Sequence, residues 1–306
     1  TLWHTLSLHD ALPICYDDEV STTLTLKAVE FIKKNHQEPF FIYLAFVATH
    51  THITPHEQFR GTSEIGQLGD YINELDYDVG IIMSTLEEFG LTDNTILIFS
   101  SDNGGASGDV RSAGKNLHLR SESHDVAEKS KTAKDDARNK YGHLTNGDFR
   151  GHKASNFEGG FRVPFIVRWP GEVPAGTKSD QVISLVDMLA TTAGFLDKEL
   201  PESAGGDSFD FSSVILGKKV EGPVRTTTIL QNGKGLLAFR EGDWKLRFTE
   251  KPKWTGNKMI FPDAPFELYN LADDPNEEND LAEKRPERVA DMKKLQLELI
   301  DKGRTR

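Results

Sequence analysis

Residues 69–105 read GDYINELDYDVGIIMSTLEEFGLTDNTILIFSSDNGG and join a helical pattern to a strand pattern. Asp70 is predicted to cap the start of the helix, and Gly90 to follow its last turn. The run TILIFSS, residues 95–101, then predicts a strand. The helix prediction is based on apolar residues at helical spacing, which are Ile72, Leu75, Val79, Ile82 and Leu86.

A second apolar run lies upstream of this helix. PFFIYLAFVA, residues 39–48, predicts a strand that is buried on both faces. Strand, long helix and strand form a βαβ unit, which implies parallel strands and a right-handed crossover. Residues 163–170, VPFIVRWP, predict another short strand. Residues 21–35 predict an amphipathic helix capped by Ser21 or Thr22. These elements indicate an α/β fold with a mixed, largely parallel sheet flanked by helices.

The sequence after about residue 205 has a different pattern. In TTTILQNGKGLLAFREGDWKLRF, residues 226–248, short apolar runs are separated by Asn-Gly and Gly-Asp pairs. Such pairs favour tight turns, so the segment predicts an antiparallel hairpin or meander. A charged helix is predicted from about Pro286 to Lys302. We therefore expect residues 205–306 to form a small antiparallel-sheet and helix subdomain after the α/β part, residues 16–204.

Two segments do not fit this plan. Residues 1–15, TLWHTLSLHDALPIC, have neither a signal-peptide layout nor helix or strand periodicity. They resemble a translated sequencing adapter, so we expect a non-native leader and a natural protein cut at its N-terminus. Residues 106–147 are polar and rich in charge, and they predict a long excursion of the kind that is functional or mobile.

Composition excludes some classes of partner. The chain has 306 residues with 36 Lys and Arg against 48 Asp and Glu, giving a formal charge of −12. This acidic balance argues against nucleic acid, which requires a basic surface. The sequence has no apolar run long enough to predict a transmembrane helix. Its one cysteine, Cys15, cannot form an internal disulfide and indicates nothing about the compartment.

The loop SDNGG, residues 101–105, ends the predicted strand with two oxygen-bearing side chains. Asp102 and Asn103 could mark a simple surface turn, which is the commoner meaning of these residue types. Carboxylate and amide oxygens also suit Ca²⁺ or Mg²⁺, and ligands bind at the carboxyl ends of strands in open α/β sheets. Taken alone, the four residues Asp-Asn-Gly-Gly leave both interpretations open.

Two other loops carry candidate residues. The loop THTHITPH, residues 49–56, contains His50 and His52, and an imidazole there could donate a proton to a leaving oxygen. Lys153 lies in a glycine-containing loop and could bind an anion. Each of these residues, taken alone, could equally be an ordinary solvated loop side chain.

The chain contains, in this order, the strings E-L-D-x-x-V-G, S-D-N-G and K-x-x-x-x-E-G-G-x-R-V-P-F. With these strings it resembles the type I sulfatases, the formylglycine-dependent arylsulfatase family of the alkaline-phosphatase-like superfamily. The resemblance covers about residues 16–300. It implies that Asp102 and Asn103 bind Ca²⁺, in preference to Mg²⁺. It also implies that Lys153 binds the sulfate oxygens and that His50 contacts the ester and protonates the leaving oxygen.

The same resemblance assigns three further roles. His52 is a second candidate for the catalytic histidine. The family usually has a single histidine close to a proline in this loop, whereas the segment ATHTHITPH, residues 48–56, has several. His143 is expected to line the substrate pocket. Glu158 and Arg162 are expected to be structural, as a buried ion pair or as caps of their loop.

The formylglycine motif C-x-P-S-R does not occur in this chain. We therefore expect an N-terminally truncated fragment that is inactive alone, from a parent that is periplasmic or extracellular. The parent would hydrolyse sulfate esters of a small molecule, an aryl alcohol or a polysaccharide. Two alternatives are a phosphomonoester, phosphodiester or phosphonate hydrolase of the same superfamily, and a non-catalytic binding module. The sequence does not indicate an oligomeric state.

Overall fold

The structure is a computed structural model that describes residues 4–6, 17–106, 142–255, 258–260 and 265–306. Most of the predicted excursion, 107–141, and most of the predicted leader therefore lie outside the described residues. The described chain divides into two compact units. The first contains the described residues up to Ile96 together with 142–144, and the second contains 97–106 and the described residues from Thr145 to Arg306.

The first unit consists of two long helices and a short parallel strand pair. Helix α1 spans Val20–Asn35 and helix α2 spans Gln67–Glu88. The α1 residues that are buried where it packs against α2 include Leu24, Ala28 and Ile32, which recur every four residues. Strand β1 (His4–Leu6) pairs in parallel with β2 (Phe40–Ile42).

The two helices are confirmed, but the predicted N-caps are wrong. Helix α1 begins at Val20, so Ser21 lies inside its first turn, where the Ser21 carbonyl accepts a 3.0 Å hydrogen bond from Thr25. Asp70 also lies inside the first turn of α2, and its carboxylate accepts the N–H groups of Gly61 and Ser63 at 2.9 Å. Asp70 therefore fastens the preceding loop onto the helix instead of capping it.

The C-terminal end of α2 follows the prediction. Gly90 has φ +65°, and its N–H donates to the carbonyl of Glu87 at 3.0 Å. The next N–H, of Leu91, donates to Leu86 at 2.8 Å. These two bonds close the helix in the left-handed conformation for which glycine is favoured.

The strand predicted at 39–48 is shorter than expected. Only Phe40–Ile42 is a strand, and Phe41 and Tyr43 are exposed, so burial on both faces was wrong for this segment. Among the described strands, β1 and β2 form the parallel pair, whereas β3 (Leu97–Ser100) pairs antiparallel with β4 (Phe165–Arg168). The strands are present near the predicted positions, but the expected pairing of one βαβ unit is not seen between the described residues.

The second unit adds an antiparallel sheet covered by a helix, as predicted. The second unit also contains three short helices, α3 (Glu158–Phe161), α4 (Met188–Phe195) and α5 (Ser212–Ile215). The strand bounds are β5 Thr227–Gln231, β6 Leu237–Glu241, β7 Trp244–Phe248, β8 Lys253–Thr255, β9 Lys258–Ile260 and β10 Phe266–Asn270. The four-stranded sheet has the order β10-β7-β6-β5, and a separate hairpin joins β8 to β9.

The turn residues fix the register of this sheet. Asn232 accepts the N–H groups of Lys234 and Leu236 at 2.9 Å, and Gly242 has φ +57° between β6 and β7. Helix α6, Pro286–Lys302, has the bounds that the sequence predicts and packs Met292 into the sheet core. That core is formed by Leu237, Phe239, Leu246, Phe248, Leu268 and Met292.

Candidate functional site

The loop after β3 presents Asp102 and Asn103 at the end of the strand. Asp102 is exposed and Asn103 is partly buried. The Ser101 hydroxyl donates to the Asn103 carbonyl at 3.0 Å, and the Asn103 side-chain amide donates to the Gly104 carbonyl at 3.0 Å. Because the amide nitrogen of Asn103 is bonded to its own loop, its Oδ1 atom is the part of the side chain that remains available to a cation.

The glycines after this pair allow a close backbone approach. A Cβ atom on Gly104 would lie 1.8 Å from the carbonyl oxygen of Gly159. One on Gly105 would lie 2.0 Å from Cγ2 of Thr145. The Gly104 N–H donates to the Gly160 carbonyl at 3.0 Å, so the loop is hydrogen-bonded to α3. A free surface turn would not require this contact, which favours the interpretation of the loop as a built site.

The loop that carries Lys153 is joined to the first loop. The Lys153 N–H donates to the Gly105 carbonyl at 2.9 Å. On the other side, the Lys153 carbonyl lies 2.7 Å from Nδ1 of His152. The main-chain N–H of His152 donates to the Ser155 hydroxyl. The main chain of Lys153 is thus fixed at both polar groups. Within the described residues its ammonium makes no ion pair.

A buried charge cluster lies behind these loops. Lys245 on β7 is buried with its ammonium 2.9 Å from Glu158 and 2.9 Å from Glu277. Burial raises the pKa of Glu158, but the Lys245 ammonium and the more distant Arg240 and Arg162 lower it below its usual value. Burial raises the pKa of Glu277 above its usual value, although Lys245 opposes this. Glu158 is therefore structural, as expected.

Arg162 is not the main partner of Glu158. Its guanidinium lies 3.9 Å from the carboxylate and is half exposed, whereas Lys245 is fully buried against it. The cluster is linked to the loops by main-chain bonds. The Glu158 N–H donates to Glu277 at 2.6 Å, and the Gly159 N–H donates to Arg150 at 2.8 Å.

The predicted histidines belong to the first unit. His50 is exposed, and its Nδ1 lies 2.6 Å from the Thr51 carbonyl. A carbonyl only accepts hydrogen bonds, so a bond here requires the tautomer with the proton on Nδ1, in which Nε2 is the atom that can accept a proton. His52 is partly buried, and its carbonyl accepts a 3.4 Å hydrogen bond from Thr54. His143 is also partly buried in this unit.

The metal ligands predicted from the sequence form an incomplete set. Within the described ranges, no group of three or more His, Cys, Asp or Glu side chains is arranged to hold a metal ion. Asp102 and Asn103 offer a carboxylate oxygen and an amide oxygen, which are of the chemical type that Ca²⁺ takes. Ca²⁺ usually takes six to eight oxygen ligands, so a complete site needs groups beyond this pair.

Comparison with solved structures defines the class of this architecture. A Bacteroides thetaiotaomicron protein, solved in connection with the metabolism of multiple glycosaminoglycans, matches with a TM-score of 0.76 and 34% identity. The match covers 92% of this chain and 55% of that one. A Pseudoalteromonas sulfatase matches with a TM-score of 0.69 at 21% identity, over 93% of this chain and 53% of that one. The fold is therefore the alkaline-phosphatase-like fold of sulfatases.

The family follows from the sequence matches. The Sulfatase family model matches residues 7–198. The N-acetylgalactosamine-6-O-sulfatase of Bacteroides thetaiotaomicron is 35% identical over 91% of this chain and 50% of its own length. Human steryl-sulfatase is 34% identical over 67% of this chain and 31% of its own length. The chain belongs to the sulfatase family of sulfuric ester hydrolases, and it spans half or less of the length of these two relatives.

Sequence reasoning missed two parts of this site. Asn146 bridges the two loops of the second unit, and Lys245 neutralises the carboxylates behind them.

No described helix is long and apolar enough to cross a membrane.

Proposed function

We propose that this chain contributes half of the active site of an enzyme that hydrolyses sulfate esters of a carbohydrate. The observation that supports it best is the 2.9 Å hydrogen bond from the Lys153 N–H to the Gly105 carbonyl, which joins the main chain of Lys153 to the loop of Asp102 and Asn103. A cation and an ammonium on adjacent loops would together stabilise the negative charge of a sulfate group.

Each residue has a definite role in this proposal. Asp102 and Asn103 hold Ca²⁺, which when bound neutralises charge on the sulfate oxygens. Lys153 binds the same oxygens and orients the ester. His50, or His52 in its place, donates a proton to the leaving oxygen, and His143 contacts the substrate. The formylglycine nucleophile and the other metal ligands are proposed to lie in a further part of a longer parent protein, which is periplasmic or extracellular.

The substrate class is proposed from the relatives. The 35% identical relative is named an N-acetylgalactosamine-6-O-sulfatase, which favours a 6-O-sulfated amino sugar within a polysaccharide. The chain is acidic overall, with a formal charge of −12, so an anionic substrate needs local positive charge at its site. Lys153 and a bound Ca²⁺ would provide that charge.

The test is turnover by the longer protein that contains this chain, with an aryl sulfate and the matching aryl phosphate. We expect hydrolysis of the sulfate and a loss of most activity in Lys153→Ala. Lys178→Ala, which removes an exposed lysine of the same unit, is the matched control and should retain activity. Hydrolysis of the phosphate alone would instead support the phosphoester alternative. Sulfated-ligand binding without turnover or metal dependence would support the binding module.

A further inference from the structure

Asn146 connects the two loops that carry the proposed metal ligands and the proposed sulfate-binding lysine. Its Oδ1 accepts the Gly105 N–H at 2.7 Å. Its Nδ2 donates to the Gly105 carbonyl at 3.2 Å and to the Gly151 carbonyl at 3.1 Å. One side chain thus binds both main-chain polar groups of Gly105 and reaches the residue two positions before Lys153.

The arrangement leaves little freedom to either loop. The Gly105 carbonyl also accepts the Lys153 N–H, so Asn146 and Lys153 share one acceptor. A Cβ on Gly105 would lie 3.1 Å from Oδ1 of Asn146, which means that the side chain packs directly against the loop backbone. Asn146 itself is in a tight turn, where Gly147 has φ +57° and the Phe149 N–H donates to the Asn146 carbonyl at 3.3 Å.

We infer that Asn146 is a positioning residue that sets the distance between Lys153 and the Asp102–Asn103 pair. The inference rests on the proposed function of these three residues. An ammonium and a cation act on one sulfate group only when both are held at the correct separation, and a misplacement of about 1 Å can cost about 100-fold in rate. The main-chain bonds from Lys153 to Gly105 and from Gly104 to Gly160 also join this region, and Asn146 adds two bonds to Gly105 and one to Gly151.

Only a side-chain amide supplies the required groups. Asparagine offers one acceptor and two donors at this length, and all three contacts use them. Aspartate would keep the acceptor for Gly105 but lose both donors, and it would place a negative charge against two carbonyl oxygens. Alanine would remove all three bonds, which leaves the Gly105 N–H without its acceptor.

The experiment uses the longer protein that contains this chain and compares Asn146→Ala, Asn146→Asp and Asn279→Asp. Asn279 is exposed in the same unit and serves as the matched control. The readouts are kcat and KM for an aryl sulfate, and inhibition by inorganic sulfate with and without Ca²⁺. Two sites that act together strengthen each other's ligands by the same factor, so Ca²⁺ should tighten sulfate inhibition in the unaltered protein.

We expect Asn146→Ala to lower kcat/KM by about 10- to 100-fold and to remove most of the effect of Ca²⁺ on sulfate inhibition. Asn146→Asp should show the same decrease in kcat/KM and the same loss of the Ca²⁺ effect on sulfate inhibition. Circular dichroism and thermal unfolding will check that this variant is folded. Asn279→Asp should stay within about twofold of the unaltered protein. A folded Asn146 variant with control-level kcat/KM and unchanged Ca²⁺ coupling would overturn the inference while the unaltered protein still turned over sulfate. An inactive unaltered protein would instead overturn the proposed function, and this inference with it.

Discussion

The ammonium of Lys245 lies 2.9 Å from a carboxylate oxygen of Glu158, and both side chains are buried beneath the loops of the candidate site. Glu277 lies on the other side of the same ammonium at 2.9 Å and accepts the Glu158 N–H. The ion pair between Lys245 and Glu158 connects the C-terminal sheet to α3. The loop that carries Asp102 and Asn103 is hydrogen-bonded to the same helix. The C-terminal sheet therefore supports the site although it supplies none of the predicted site residues.

Replacing Lys245, the ammonium between Glu158 and Glu277, should destabilise the protein strongly. Lys245→Met would leave two buried carboxylates without their partner, which typically costs about 3–5 kcal/mol. We expect a matching decrease in the free energy of unfolding, measured by urea denaturation. Lys218→Met, at an exposed lysine of the same unit, should change it by less than about 0.5 kcal/mol. Equal midpoints for the two variants would show that the buried cluster contributes nothing to stability.

Gly104, in the loop that carries Asp102 and Asn103, gives a second prediction. In Gly104→Ala the new Cβ would be placed 1.8 Å from the Gly159 carbonyl, a backbone atom that cannot rotate away. We expect a loss of about 1–3 kcal/mol in unfolding free energy.

Gly80→Ala is the matched control for this glycine. Gly80 lies within α2, and a Cβ there meets nothing within 4 Å. Alanine should stabilise that helix by about 0.5–1 kcal/mol. Thermal unfolding of the two variants should therefore move in opposite directions. A Gly104→Ala variant as stable as the unaltered chain would show that the loop is not held against α3.

Local sequence signals account for the elements that were predicted well. The Asn-Gly and Gly-Asp pairs determine the turns of the C-terminal sheet, and helix α6 begins at Pro286 as expected. Gly90 ends α2 because its left-handed conformation depends on neighbours within a few residues. These features follow from chain chemistry over short distances, so they can be inferred without the fold.

Features that depend on distant parts of the chain were missed. The buried face of α2 includes Glu74 and Asp78, because Glu74 accepts the His56 N–H, whereas Ile72 on the predicted apolar face is exposed. Asn146 binds a residue 41 positions away, and Lys245 one 87 positions away. Periodicity cannot identify such partners. The prediction of a site at Asp102 and Asn103 depends on the family resemblance, since the local sequence equally fits a turn.

Asp78 should make the stability of the protein depend on pH. Burial raises the pKa of Asp78 from 3.8 to about 6, while the nearby Thr25 hydroxyl and His56 oppose the shift. Burial also raises the pKa of Glu74. The folded state then binds more protons than the unfolded state between about pH 4 and pH 6. Its free energy of unfolding should fall as the pH rises through that window.

Because a pKa difference of one corresponds to about 1.4 kcal/mol, the expected decrease is about 1–3 kcal/mol. Asp78→Asn should remove most of this dependence and raise stability at pH 8. The control Asp76→Asn, at an exposed position on the same helix, should keep the slope of the unaltered protein. Urea midpoints measured from pH 4 to pH 8 make the comparison. Identical slopes for both variants would exclude Asp78 as the source.

Calcium should stabilise the longer protein that contains this chain through Asp102. A cation that binds only the folded state adds RT ln(1 + [L]/Kd), or about 1.4 kcal/mol at ten times Kd. We expect Ca²⁺ to raise the melting temperature, and Mg²⁺ to raise it less, because its strict octahedral geometry suits an adjacent Asp-Asn pair poorly. Asp102→Ala should abolish the Ca²⁺ effect, and Asp180→Ala, at an exposed carboxylate of the same unit, should preserve it. If Asp102→Ala retained the full Ca²⁺ effect, the ion would bind elsewhere and the metal role of Asp102 would be wrong.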